Sequence, residues 1–188
     1  MTTILGIAGS LRRASYNSAL LKNAASMMPD RARMEVGSIR EIPLYDADME
    51  ESHGIPESVR ELKSAISRCD GLLLATPEYN NSIPGVFKNA IDWASRPAAD
   101  IPKIFGDKPV AVIGASPGGF GTVLSQSAWL PVLRTLGTRP WMAGRLLVSR
   151  AGKAFNESGE LIDEALRAQI RQFLSGFVSF VREQPRRP

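Results

Sequence analysis

The chain has 188 residues, the size of one domain, and 44% of them are hydrophobic, so a single folded core is expected rather than disorder. Its 23 Lys and Arg residues and 19 Asp and Glu residues leave a net charge of only +4. No basic stripe is interleaved with aromatic residues, which argues against nucleic-acid binding. One cysteine cannot form an intrachain disulfide, and one histidine cannot build a histidine-rich metal site, so no metal is expected.

The N-terminus lacks the pattern of a secretion signal, because its apolar run is short and charges follow it rather than precede it. Residues 109–133 carry no charge, but their prolines and glycines argue against a membrane-spanning helix. These features predict a cytoplasmic protein that does not engage a membrane. The expected organisation is one domain over residues 1–182 and a disordered tail over residues 183–188.

Short apolar runs alternate with helical spacing along the chain, which predicts alternating strands and helices. The acidic stretch before Pro56 is expected to be irregular. The predicted strands lie at 4–8, 34–39, 71–76, 110–115 and within 141–149. The predicted helices lie at 17–28, 56–69, 84–94, 125–136 and 161–181.

Strands that are apolar throughout are covered on both faces, so the pattern predicts an α/β fold with a doubly wound parallel sheet. Five such units suit the strand order 2-1-3-4-5. Ligands of these sheets bind beyond the carboxyl ends of the strands, at the switch point between strands 1 and 3. Three loops should meet there, formed by residues 9–17, 77–84 and 116–121.

The first loop has the chemistry of an anion site. It opens a helix whose first backbone N–H groups are unsatisfied, and those groups favour a negative charge. Ser10, Ser15 and Asn17 add neutral donors, and one of the two arginines, Arg12 or Arg13, adds a charged donor. Neither the Walker pattern nor G-x-G-x-x-G is present, so a terminal monophosphate is a better candidate than a pyrophosphate. The alternative is that Ser15 or Asn17 only caps the helix.

The second loop suits the edge of a planar heterocycle. Pro77 and Pro84 stiffen it, its remaining N–H groups can face a ring edge, and Tyr79 offers an aromatic ring. The alternative is an ordinary polar turn.

The third loop contains G-x-S-x-G, the pattern of a hydrolase nucleophile. A hydrolase is disfavoured because Pro117 lacks the N–H that an oxyanion hole requires. The only histidine, His53, also precedes the serine rather than following it. The glycines instead allow close approach of a flat ligand.

Three blocks of sequence resemble the NADPH-dependent FMN reductase family, and most closely its chromate and quinone reductases. The blocks are G-S-L-R-R-A-S-Y-N, L-L-L-A-T-P-E-Y-N-N-S-I-P-G-V-F-K-N-A-I-D-W and G-A-S-P-G-G-F-G. The resemblance covers about residues 3–150 and implies a flavodoxin-like fold that binds FMN non-covalently.

Carried over by position, the resemblance implies a phosphate held by Ser10, Arg12, Ser15 and Asn17. It implies an isoalloxazine ring lined by Pro77, Glu78, Tyr79 and Asn80 and contacted on its other side by Ser116 and Gly119. Tyr16 and Ser82 lie within the same motifs and are expected to bind the cofactor as well. The Glu78 carboxylate should point away from the ring edge, leaving the backbone N–H groups of residues 78–80 to bind it.

The resemblance also implies hydride transfer from transiently bound NADPH or NADH to flavin N5, and onward delivery to a quinone, chromate or similar small acceptor. No catalytic side chain is expected, because the cofactor carries the chemistry. Family members are usually homodimers or homotetramers. Trp93, Trp129 and Trp141 are candidate interface anchors, although core positions are equally expected for them. The alternative is a flavodoxin-like electron carrier without NAD(P)H turnover, which the acidic residues 41–80 keep open.

Overall fold

The computed structural model describes residues 1–183, so the expected tail lies outside the described residues except for Glu183. The strands are Thr2–Ala8 (β1), Ala32–Gly37 (β2), Gly71–Ala75 (β3), Pro109–Ala115 (β4), Arg139–Pro140 (β5) and Leu147–Val148 (β6). They form a parallel sheet in the order β2-β1-β3-β4-β5, with β6 also paired to β4. This confirms the predicted doubly wound order.

The helices of the described chain cover both faces of this sheet. They are Tyr16–Ala25 (α1), Ala47–His53 (α2), Glu57–Arg68 (α3), Gly85–Ala94 (α4), Ile101–Ile104 (α5), Val123–Thr135 (α6) and Glu164–Arg182 (α7). Along β1 and β3 the side chains alternate between two cores, because successive residues of a strand point to opposite faces. Ile4 and Leu73 pack with α1 and α7, whereas Leu5 and Leu72 pack with α3, α4 and α6.

The fifth sheet position differs from the single strand that the sequence predicts within residues 141–149. It is split into β5, which pairs with the start of β4, and β6, which pairs with its end. Between them the chain leaves the sheet, and the Trp141 ring lies over Gly144 and Gly176, where an added Cβ would come within 2.4 Å and 2.8 Å of it. Neither glycine could be replaced by a larger residue without displacing this ring.

Two of the three tryptophans proposed as interface anchors belong to the core of the chain itself. Trp93 and Trp129 are fully buried, and Trp129 packs edge-on against Phe87. Trp141 is half-buried against Phe173. The core interpretation is therefore correct for the first two.

The segment expected to be irregular contains α2, which begins after the capping residue Asp46. This helix buries none of its residues, so it has no apolar periodicity by which the sequence could reveal it. Among residues 1–183, no helix is both long and apolar enough to cross a membrane.

Candidate functional site

The three loops singled out from the sequence lie at one edge of the sheet, because β1, β3 and β4 are parallel neighbours. Backbone hydrogen bonds continue the strand pairing up to the start of each loop. The amide of Gly9 donates to Ala75 O at 2.9 Å, and that of Thr76 donates to Ile113 O at 2.8 Å. The loops therefore begin from fixed positions.

Gly9 allows the first loop to lie against α4. A Cβ added at this position would come within 2.1 Å of the buried Phe87 ring, so no larger residue fits without displacing that ring. The glycine thus sets the distance between the first loop and the helix that follows the second loop.

The first loop presents unpaired donors at the start of α1. Ser15 is the N-cap, and its Oγ accepts from the amide of Ser18 at 3.2 Å, which confirms the capping role. The same hydroxyl retains its own hydrogen for a ligand. The amides of Tyr16 and Asn17 donate to no acceptor within residues 1–183. Arg12 is exposed and takes part in no ion pair of the described chain.

Asn17 joins the first loop to the third. It is 3% exposed, and its Nδ2 donates to Ala115 O at 2.9 Å while its Oδ1 accepts from Ala115 N at 2.9 Å. This pair places the start of α1 beside the carboxyl end of β4. A contact between Asn17 and a phosphate stays a prediction.

The second loop closes on itself at its tip. The amides of Tyr79 and Ser82 each donate to the carbonyl of the other residue, at 3.2 Å and 3.0 Å. Asn80 and Asn81 have φ angles of 49° and 61°, the left-handed values that a tight hairpin turn requires and that asparagine tolerates. The Tyr79 N–H is therefore paired within the turn, and its contact with a ligand stays a prediction. The amides of Glu78 and Asn80 have no acceptor within the described residues.

Glu78 binds the N-terminus of α6, the helix that follows the third loop. Its Oε2 accepts from the amides of Leu124 and Ser125, at 2.8 Å and 3.0 Å, in the first turn of α6. A carboxylate is favourable there, because the N-terminus of a helix carries a partial positive charge. Beneath it, the buried hydroxyls of Thr76 and Ser125 lie 2.8 Å apart. This orientation agrees with the expectation that the carboxylate does not face the ring edge.

The third loop is exposed at its tip and anchored at its base. The amide of Ala151 donates to Ser116 O at 3.0 Å, and that of Arg150 donates to Gly118 O at 2.8 Å. A Cβ added to Gly119 would meet no atom within 4 Å, so open space lies above it. His53 is exposed and hydrogen-bonded to Ser52, and it forms no hydrogen bond with Ser116.

A segment that sequence reasoning did not assign to the site, residues 43–50, is held against α4. Asn89 accepts from the amide of Tyr45 and donates to Pro43 O, each at 2.8 Å. Trp93 Nε1 donates to the same carbonyl at 2.9 Å. Asn89 and Trp93 are four residues apart, so they lie on one face of α4. That spacing within K-N-A-I-D-W is the signal that could have identified their shared role.

Two further contacts fix this segment. Arg96 Nε donates to Glu50 Oε2 at 2.8 Å, and this hydrogen bond is the main cause that holds the pKa of Glu50 below its ordinary value. Upstream, Arg40 Nη2 donates to the carbonyl of Leu11 at 2.8 Å, which connects the segment after β2 to the first loop.

The donor set of the three loops fits FMN. The first and third loops contain no acidic residue, and the single carboxylate of the second, Glu78, is bound to α6. The first loop offers hydroxyls, free amides and a cation to a phosphate. Open space lies above Gly119, and the second loop keeps two amides, those of Glu78 and Asn80, without an acceptor in the described chain, so both features are compatible with a flat ring.

Comparison with known proteins agrees with this geometry. A sequence model of the NADPH-dependent FMN reductase family matches residues 2–153. An NAD(P)H-dependent FMN reductase of Pseudomonas aeruginosa is 42% identical over 179 residues, covering 95% of each chain. A quinone reductase of Escherichia coli is 34% identical, covering 95% of this chain and 94% of its own. The flavoenzyme FerB of Paracoccus denitrificans, an NAD(P)H:acceptor oxidoreductase, superposes with a TM-score of 0.86 at 34% identity, covering 97% and 98% of the two chains.

Proposed function

The chain belongs to the NADPH-dependent FMN reductase family, and we propose that it is an NAD(P)H oxidoreductase that holds FMN non-covalently and reduces a quinone, chromate or similar small acceptor. The observation that carries this proposal is that three loops rich in hydrogen-bond donors meet at one edge of the sheet. Their only carboxylate, that of Glu78, is bound to the first turn of α6. When bound, FMN supplies the redox chemistry by accepting a hydride from NAD(P)H and passing electrons to the second substrate.

The first loop binds the phosphate in this proposal. Ser10, Ser15 and the amides of Tyr16 and Asn17 donate hydrogen bonds, and Arg12 adds a charge-assisted one. Ser10 Oγ already accepts from the amide of Arg12 at 3.2 Å, which folds the loop around the helix start. The arginine thus lies beside the donors that it complements.

The second and third loops bind the ring. The amides of Glu78 and Asn80 stabilise the negative charge that reduction places on the pyrimidine edge, while Pro77 shapes the base of the pocket, where it is buried. Exposed Ser82 in the same turn is a further donor for the cofactor, and Ser116 and Gly119 would line the other side of the ring. Exposed Tyr79 and Phe120 give the entrance an apolar rim suited to an aromatic acceptor; they are 50% and 80% exposed.

We also propose a homodimer or homotetramer in a cytoplasmic setting. Leu124, Leu130 and Met142 are exposed apolar side chains on and after α6, and they offer a surface that a second copy can cover. A monomeric mass in light scattering at micromolar concentration would contradict this assembly.

Steady-state turnover separates the enzyme from an electron carrier. With FMN bound, the protein should oxidise NADPH continuously in the presence of 1,4-benzoquinone. The acidic α2 and the segment before it are the feature that a carrier would use for docking. FMN binding without NADPH oxidation would identify a carrier and overturn the enzymatic proposal.

A further inference from the structure

We propose that a groove beside the first loop is a second phosphate subsite, which takes the adenosine phosphate half of FAD when the flavin phosphate lies on the first loop. This inference rests on the proposed function, because it needs a flavin phosphate in that position. It adds a second cofactor that the monophosphate pattern of the sequence does not predict.

The groove opens directly from the residues assigned to the phosphate. Its volume is about 550 Å³, within the range of roughly 300–1,000 Å³ that small-molecule sites occupy. Arg12 and Ser15 lie at one end, and α1 forms one wall. The opposite wall is the turn of residues 155–159. A ligand that extends beyond the first phosphate therefore enters a formed groove rather than open solvent.

The far wall is held in place by hydrogen bonds. Asn156 accepts from the amide of Glu160 at 2.8 Å and donates to its carboxylate at 2.7 Å, which closes the turn. Asn23 of α1 donates to Gly159 O at 2.9 Å and accepts from Leu161 N at 3.2 Å. The width of the groove is thus set before any ligand binds, which lowers the ordering cost of binding.

The groove carries excess positive charge. Arg12, Arg13 and Lys22 line it against one lining acid, Glu157, and none of these three cations forms an ion pair within residues 1–183. The Glu160 carboxylate lies behind the far wall, where its hydrogen bond with Asn156 is the main cause that lowers its pKa and the charge of Lys22 lowers it further, so three cations still exceed two acids. Tyr16 also lines the groove, and its hydroxyl, which lies beside Gly152, has no hydrogen-bond partner in the described chain. Unpaired cations around a cavity favour a phosphate-bearing ligand.

Lys22 lines the same groove as Ser15, about two helical turns further along α1. Lys22 follows Ser15 by seven residues, or about 10 Å at 1.5 Å per residue, and helical side chains incline toward the N-terminus. The two phosphates of FAD share a bridging oxygen, so the second must lie next to the first and within reach of the groove. NADPH, by contrast, is not bonded to the flavin phosphate. When its nicotinamide lies on the flavin ring, no bond requires one of its phosphates to lie in the groove.

The test compares ligands and variants by equilibrium binding. Kd values for FMN, FAD and riboflavin are measured with the wild-type protein, with Lys22→Glu and with the control Lys103→Glu. Lys103 is exposed on α5, across the sheet from α1. We expect the wild type to bind FAD within about tenfold of FMN. Lys22→Glu should weaken FAD about tenfold and change FMN less than threefold, while the control changes neither.

Each other outcome has a defined meaning. Wild-type protein that binds FMN but binds FAD no better than riboflavin would overturn the subsite and leave the proposed function standing. Equal weakening of FMN and FAD by Lys22→Glu would also overturn it, because the lysine would then serve the first phosphate. If Lys22→Glu raises the KM for NADPH, leaves that for NADH unchanged and does not affect FAD, the groove serves the NADPH 2′-phosphate and the FAD assignment is wrong. Failure of the wild type to bind FMN would refute the proposed function itself.

Discussion

The side-chain amide of Asn17 exchanges two hydrogen bonds of 2.9 Å with the backbone of Ala115, which lies 98 residues further along the chain. This pair connects the first helix turn to the end of β4. It holds the proposed phosphate loop and the proposed ring loop in one fixed arrangement. Because both groups are buried, water cannot replace either hydrogen bond without opening the site.

Replacing Asn17 should therefore destabilise the fold. Asn17→Ala leaves the N–H and the carbonyl of Ala115 unsatisfied in a buried position, and we expect the free energy of unfolding to fall by about 2–4 kcal/mol. Urea denaturation measures this change. Ser18→Ala is the control, because the Ser18 hydroxyl has no partner within the described chain, and it should stay within about 0.5 kcal/mol of the wild type. Similar losses in both variants would show that the Asn17 pair has no special role.

Two substitutions of Glu78 should distinguish its hydrogen bonds to α6 from the effect of its negative charge on the flavin. Glu78→Gln keeps an oxygen that can accept from Leu124 N and Ser125 N. It should retain FMN and leave the two-electron midpoint potential within about 30 mV, which corresponds to about 1.4 kcal/mol. Glu78→Ala removes the cap of α6, and we expect a loss of about 1 kcal/mol in stability together with weaker FMN binding.

The direction in which Glu78→Gln shifts the midpoint potential of bound FMN also tests the orientation of the Glu78 carboxylate. A carboxylate near the ring edge would oppose reduction, since like charges about 4 Å apart repel by roughly 4 kcal/mol at an effective dielectric constant of 20. If Glu78→Gln makes the bound flavin markedly easier to reduce, the carboxylate faces the ring in the complex. The contact with α6 would then be lost on binding.

Arg12 should contribute to affinity only through the phosphate. A charge-assisted hydrogen bond contributes about 1.5–3 kcal/mol, so Arg12→Ala should weaken FMN roughly 10- to 150-fold. Riboflavin lacks the phosphate and should bind the variant and the wild type equally. Arg13→Ala serves as the matched control. An equal loss for both ligands would make Arg12 a structural residue.

The single thiol should be inert in the folded protein. Burial is the main cause that raises the pKa of Cys69 to about 11, and the side chain is 6% exposed. At pH 8 the thiolate is then only about one part in a thousand, and the thiolate is the reactive form. A thiol reagent such as DTNB should label no cysteine in buffer and one cysteine in urea. Rapid labelling of the native protein would show that α3 opens near its end.

The features that the sequence predicts correctly depend on local patterns. Continuous apolar strands such as Gly71–Ala75, and a serine that caps the following helix, are encoded by neighbouring residues. The grouping of the three loops follows from strand order alone. Neither conclusion requires knowledge of a contact between distant residues.

The features that the sequence does not predict depend on distant contacts. The Glu78 carboxylate caps a helix 46 residues away. Asn89 donates to the backbone carbonyl of Pro43, and a residue of any type at position 43 would offer the same acceptor. Between β5 and β6, a tryptophan ring packs on two glycines, one of them in α7. Backbone partners and ring packing of this kind leave no periodic pattern in the chain.

An anaerobic titration of the purified protein tests the central claim most directly. FMN is added to protein freed of flavin, the complex is separated from unbound flavin, and the visible flavin absorption is recorded before and after excess NADPH. The three-loop site predicts one FMN per chain at micromolar concentration and bleaching of its absorption by NADPH in the absence of oxygen. No FMN retained at micromolar concentration, or bound FMN that NADPH leaves oxidised, would contradict the account.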